Sequence, residues 1–101
     1  MARLIYTEGA LDDLVRLTEF LLANDPGAAG KTSRLIEEAV QVLHNHPLIG
    51  RPVEAGLREL VISRGRTGYV ALYSFEPADD AVLLLAIRQQ REAGYAGETG
   101  Q

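Results

Sequence analysis

Residues 57–95, taken with Gly56 in front of them, read GLRELVISRGRTGYVALYSFEPADDAVLLLAIRQQREAGY. Three β-prone runs, 57–63, 69–75 and 81–87, are separated by RGRTG and EPADD, two segments rich in turn residues. In the first run Leu60 and Ile62 alternate with Glu59 and Val61, the period of a strand with one covered face. The third run, AVLLLAI, is apolar without a break, the pattern of an inner strand covered on both faces. Connections this short join neighbouring strands as hairpins, so the stretch predicts an antiparallel meander.

Upstream, Arg3–Tyr6 is short, apolar and β-prone and suits a first strand at a sheet edge. Thr7 is placed to cap a helix, with Glu8 in the first turn. Leu11, Leu14, Val15, Thr18, Leu21 and Leu22 follow the spacing of one buried helical stripe. Asp12, Asp13, Arg16 and Glu19 fall on the other side, and the helix should end near Asn24. Asp25-Pro26 restarts the pattern as N-cap and first helical residue. Thr32, Leu35, Ile36, Ala39, Val40 and Leu43 then form a second stripe that Pro47 stops. With few residues between them, the helices predict an antiparallel hairpin. The connector 47–52, with two prolines and a glycine, is expected to be irregular. The order β-α-α-β-β-β predicts an α+β domain over residues 1–97, a small antiparallel sheet covered by the helical hairpin. The tail 98–101 has nothing to bury and is expected to be disordered.

A chain of 101 residues with this composition forms one modest core. It has no cysteine, which removes disulfides, thiolate metal sites and cysteine nucleophiles. No apolar h-region opens it, and no run approaches the roughly 20 apolar residues of a membrane span. The expectation is a cytoplasmic protein with no membrane contact. A net charge of −4 argues against coating nucleic acid. Before Pro47, four basic residues face seven acidic ones; from Pro47 onward six arginines face seven acids, without a lysine.

Gly30-Lys31-Thr32 ends like a phosphate-binding loop, but Asp25 stands where the first glycine is required and a helix precedes it. His44 and His46 lack a third ligand at metal spacing, and a place near a helix C-terminus accounts for them. Neither Ser63 nor Ser74 has a glycine elbow around it. No metal and no cofactor is implied.

The arginines carry more. Arg58 opens the first run of the meander, Arg64 and Arg66 frame its first turn, and Arg88 and Arg91 close the last run. A meander brings Arg64, Arg66 and Arg88, with Arg91 following, to one end of the sheet. Guanidinium groups bind carboxylates and phosphates bidentately, so this end is a candidate anion site. The plainer reading is solvated or paired arginines, with Glu59 and Glu92 as partners.

The ordered set Gly50-Arg51-Pro52, Arg58-Glu59-Leu60-Val61, GYVALY (68–73), VLLLAIR (82–88) and Arg91-Glu92-Ala93-Gly94-Tyr95 resembles the RelE/ParE toxin superfamily. The resemblance implies the toxin of a type II toxin–antitoxin pair, neutralised by an antitoxin that wraps the helices and sheet. RelE-like members cut mRNA in the ribosomal A site. For that activity Arg58, Arg64, Arg66, Arg88 and Arg91 would stabilise phosphate charge, with Tyr95 near the scissile group. ParE-like members inhibit DNA gyrase instead. The central-strand lysines of RelE-like enzymes have no counterpart here, no histidine lies in the sheet region, and a tyrosine is a poor base. These departures point to the ParE-like branch, a gyrase inhibitor that causes growth arrest rather than an enzyme. Arg64, Arg66, Arg88, Arg91 and Tyr95 would then contact the target. Leu14, Leu21, Leu35 and Val40 would contact the antitoxin, and the chain alone would read no DNA sequence. A third reading is a module that still binds its antitoxin but has lost toxicity.

Overall fold

The computed structural model describes residues 1–62 and 68–89. Its elements are β1 (Arg3–Tyr6), α1 (Glu8–Asn24), α2 (Pro26–Gln41), β2 (Arg51–Pro52), β3 (Arg58–Val61), β4 (Tyr69–Glu76) and β5 (Ala81–Gln89). Residues 64–67 of the turn expected over 64–68, and the tail over 98–101, lie outside the described residues. Among the described residues no helix is long and apolar enough to cross a membrane.

Thr7 caps α1: its hydroxyl oxygen accepts from the Ala10 N–H at 3.3 Å and its hydroxyl donates to the Leu84 carbonyl at 2.7 Å. The cap therefore also ties the helix start to β5. Gly9 keeps that approach close, since a Cβ there would sit 3.2 Å from the Leu85 carbonyl oxygen. Asp25 stands at the N-cap of α2 with Pro26 behind it, but its side chain makes no capping bond. The second helix closes before Pro47 is reached. It tightens into a 3₁₀ turn over Val42–His44, where the Ala2 N–H donates to the His44 carbonyl at 2.9 Å. His44 Nδ1 meets the Ala2 carbonyl at 2.6 Å; a carbonyl only accepts, so this nitrogen carries the proton.

The five strands run β1-β5-β4-β3-β2 across the sheet. The meander β3-β4-β5 is antiparallel throughout, as its two short connections require. The purely antiparallel expectation fails at β1, which pairs parallel to β5 with Arg3 opposite Ala81 and Tyr6 opposite Leu84. The chain leaves β1 through two helices and returns at the far edge, a crossover that permits parallel pairing. The connector also holds more structure than expected. Arg51 and Pro52 pair with Glu59 and Arg58 as a two-residue edge strand, a position where a proline's missing N–H costs no ladder bond. The hairpin that follows passes through Ala55 and Gly56, at φ 61° and 75°.

Tyr73, Ile36, Leu43, Leu84, Ile87, Val40 and Val82 are the largest fully buried side chains, each contributing about 1.5–3 kcal/mol by burial. Leu60 on β3 and Ile62 just beyond its end pack on this core, as their alternation requires. Two expectations are corrected. In α1 the buried positions are Ala10 and Asp13, with Leu14 and Leu17 against the core; Leu11, Val15 and Leu22 are about half exposed, at 48%, 56% and 54%. The inward face is thus rotated about a quarter turn from the leucine-rich stripe, and Asp13 lies inside rather than outside. In β5, Val82, Leu84 and Ile87 are buried, whereas Leu83, Leu85 and Ala86 are half-buried. The helical layer covers one sheet face only, so an unbroken apolar run does not require two covered faces.

Candidate functional site

Arg88 lies on β5 opposite Val70, which is itself opposite Val61. It therefore stands at the end of the sheet where β3 finishes and β4 begins. Arg64, Arg66, Arg91 and Tyr95 lie outside the described residues.

The Arg88 guanidinium leans on α1: Nε is 3.6 Å from Asp13 Oδ2, an ion pair beyond hydrogen-bond length. The same carboxylate accepts the Ile87 N–H at 3.0 Å through Oδ2 and Arg16 Nη1 at 2.9 Å through Oδ1. This N–H needs a partner because β1 pairs with β5 only as far as Leu84. A bulge follows at Leu85, where the register passes from Leu84 opposite Tyr73 to Ala86 opposite Leu72. Asp13 stands in for the missing strand. A buried carboxylate is costly unless paired and hydrogen-bonded, and here a backbone N–H and two guanidinium groups meet that need. Arg16, Leu17 and Phe20 of α1 and Ile87 and Gln89 of β5 line an open groove beside it. Sequence reasoning missed Asp13, Arg16 and Phe20. The one visible signal was the opposite charge of Asp13 and Arg16 at i, i+3.

Arg58 belongs to a different constellation. Its Nη1 donates to the carbonyls of Gly50 at 2.8 Å and Leu48 at 3.2 Å. Arg58 is paired opposite Tyr73, three residues along β4 from Val70, about 10 Å at the strand rise. It fixes the connector and does not join Arg88. Tyr73 completes that lock, donating to the Pro47 carbonyl at 2.8 Å and accepting the Gly50 N–H at 2.9 Å. Gly50 is obligatory there: a Cβ would lie 2.7 Å from the Glu59 carbonyl and from the Tyr73 ring and hydroxyl. Burial pushes the Tyr73 phenol above the ordinary value, with the Gly50 N–H and the Arg58 charge pulling the other way. Tyr6 is likewise raised, by burial and then by Glu37. Both phenols hold their protons more tightly than free tyrosine, so less phenolate is available to act as a base near neutral pH.

The other candidates settle into structural places. Glu59, an expected partner for the arginine cluster, pairs with Arg51 at 2.9 Å. Gly30-Lys31-Thr32 lies inside α2 rather than in a strand-to-helix loop. Ser74 donates to the Glu76 carboxylate at 3.2 Å, and Ser63 lies outside the described residues. Among the described residues no three His, Asp or Glu side chains stand close enough to hold a metal ion. Of the expected antitoxin contacts, Leu35 is 39% exposed and Leu14 and Leu21 are half-buried. Val40 is fully enclosed by the domain's own core and offers no surface to a partner.

Comparison with known proteins agrees with this architecture. Residues 4–94 match the family model described as the ParE toxin of the type II toxin–antitoxin system parDE. Toxin RelE3 of Caulobacter vibrioides is 38% identical over 80 residues, covering 79% of this chain and 85% of the relative. In fold, a chain of the chromosomal ParDE toxin–antitoxin system from P. aeruginosa superposes with a TM-score of 0.72 at 26% identity, covering 88% of this chain and 96% of that one. A chain of the RelBE2 toxin–antitoxin complex from Mycobacterium tuberculosis gives 0.60 at 25% identity, with 88% and 98% covered. A two-helix layer on a five-stranded mixed sheet, together with a family match over nearly the whole length, places this chain in the RelE/ParE superfamily of type II toxins, within the family of the ParE toxin.

Proposed function

We propose that this toxin acts in the ParE-like manner, arresting growth by inhibiting DNA gyrase, and that a cognate antitoxin neutralises it by direct binding. The observation that carries the reading is the engagement of Arg58 with the Leu48 and Gly50 carbonyls. It ties to the connector one of the arginines that the nuclease reading needs for phosphate, and the two described tyrosines with displaced pKa values, Tyr6 and Tyr73, hold their protons more tightly than free tyrosine. The antitoxin surface is the outward face of α1, where Leu11, Val15 and Leu22 are about half exposed at 48–56%. Leu35 on α2 extends it. Apolar side chains at helical spacing on an uncovered face suit an amphipathic partner helix.

One observation favours the RelE-like alternative, ribosome-dependent mRNA cleavage: the 38% identical relative is named a RelE toxin. Expression of the chain without its antitoxin separates the two. Filamentation with induction of the DNA-damage response is the expected result, and purified gyrase should lose supercoiling activity when the chain is added. Rapid translation arrest with codon-phased mRNA cuts would replace the gyrase reading with the nuclease. Normal growth would leave a binding module without toxicity.

A further inference from the structure

We propose that the groove between α1 and the end of β5 is a second, electrostatic docking point for the antitoxin. It would receive a segment in which an aspartate or glutamate stands beside a large apolar residue. The carboxylate would bridge Arg16 and Arg88, and the apolar side chain would lie on Leu17 and Phe20. This rests on the antitoxin reading above and adds to it a separate place and a separate chemistry.

Three observations choose that occupant. First, Arg16 and Arg88 are anchored at one edge by a single buried carboxylate, Asp13, yet remain 59% and 48% exposed. Among the described residues nothing else is bonded to either guanidinium, so each keeps donors directed at solvent. Second, among the described residues at the groove edge, two guanidinium groups stand over one carboxylate and leave +1. That matches one partner carboxylate, whereas a phosphate backbone would meet the Asp13 charge beneath and the −4 of the whole chain. Third, the groove is lined by Leu17, Phe20 and Ile87 as well as by Arg16 and Gln89, and Phe20 is 54% exposed. An apolar anchor rimmed by charge is the composition of a protein–protein contact. Asp13 is the positioning residue: it holds two long, flexible side chains at the groove edge before a partner arrives, which lowers the ordering cost of binding.

The test is affinity for the full-length antitoxin encoded beside this chain, measured by calorimetry at two salt concentrations with the wild type and with Arg16→Gln, Arg88→Gln and the double variant. Each single change should weaken binding by about fivefold, as loss of a partly exposed ion pair does, and the double variant should lose most of the salt dependence. Arg88→Glu should bind still more weakly and recover with an antitoxin in which one acidic residue is replaced by arginine. Circular dichroism melts keep unfolded variants out of the comparison, and Phe20→Ala, which leaves the ion pairs in place, tests the apolar half independently. Absence of any complex with the wild-type chain would overturn the antitoxin reading itself. A complex whose affinity all these variants leave within twofold would overturn only the groove assignment. Single-stranded RNA or duplex DNA retained by the wild type and released by the double variant would assign the arginine pair to phosphate and overturn it as well.

Discussion

Replacing Asp13 tests whether a buried carboxylate is what joins the helical layer to the end of the sheet. In Asp13→Ala the Ile87 N–H loses its 3.0 Å acceptor and Arg16 its 2.9 Å partner. A backbone hydrogen bond to a charged acceptor contributes about 1.5–3 kcal/mol, and a buried donor left unmet costs a similar amount. The two ion pairs add little, because their arginines are 59% and 48% exposed and solvent screens them. Relief of the carboxylate's own desolvation offsets part of the loss, leaving a destabilisation of about 2–3 kcal/mol. In a domain of this size that lowers Tm by about 10–20 °C. Asp13→Asn keeps an oxygen facing the Ile87 N–H and loses only the charge, so it should cost about 1 kcal/mol. Urea titration at neutral pH measures both, and amide exchange at Ile87 reports the bond directly. If alanine and asparagine destabilise equally, or if alanine costs less than about 0.5 kcal/mol, Asp13 is not acting as the substitute for a missing strand.

Gly50→Ala must push the Tyr73 hydroxyl off its two partners, because the added methyl would sit 2.7 Å from it; a loss of about 1–3 kcal/mol in chemical denaturation is expected, and no loss would show that the connector is loose. Ala55, at φ 61°, holds a conformation that glycine adopts freely, so Ala55→Gly should stabilise by about 0.5–1 kcal/mol; a lower Tm would contradict the strain. Tyr6 and Tyr73 are raised above the ordinary value of 10.0, so the folded state holds those protons more tightly than the unfolded chain does. Their contribution is complete below pH 10 and is lost as pH climbs through 10 toward the raised folded values. A Tm profile that stays flat through this window in the wild type, or that falls as steeply in Tyr6→Phe/Tyr73→Phe, would refute that origin.

The meander was readable because its signals are local: alternation at Leu60 and Ile62, turn residues after each run, and a third run long enough to sit inside the sheet. Thr7 and Asn24 likewise mark the ends of α1 in the sequence itself. The phase of α1 was not readable, because the helix carries apolar residues on two faces, and counting leucines selects the richer one. What decides the inward face is close approach: Gly9 and Ala10 fit against β5 where larger side chains would not. The place of Asp13 is a long-range fact of the same kind. It depends on where β1 stops and β5 bulges, 74 residues away in the chain. Arg58 was read as a phosphate-stabilising candidate from its charge, although its partners are carbonyls in a connector whose shape the sequence does not declare.

The two apolar faces of α1 also bear on why a toxin of this family needs its partner. One face, through Ala10, Leu14 and Leu17, closes a small core; the other leaves Leu11, Val15 and Leu22 in water. Covering three half-exposed side chains of this size would contribute several kcal/mol at about 25 cal/mol per Å², enough to supply much of a tight complex before binding costs are subtracted. The same face left open in the free chain invites self-association. Changing Leu11 and Val15 to glutamine should therefore act in opposite directions on two readouts. Solubility of the isolated chain should rise, because nothing in its own core depends on these residues, and affinity for the antitoxin should fall by a factor of ten or more, roughly the loss of one buried aliphatic contact. Reduced solubility together with undiminished antitoxin binding would mean that Leu11 and Val15 serve the fold, and that the partner is held elsewhere.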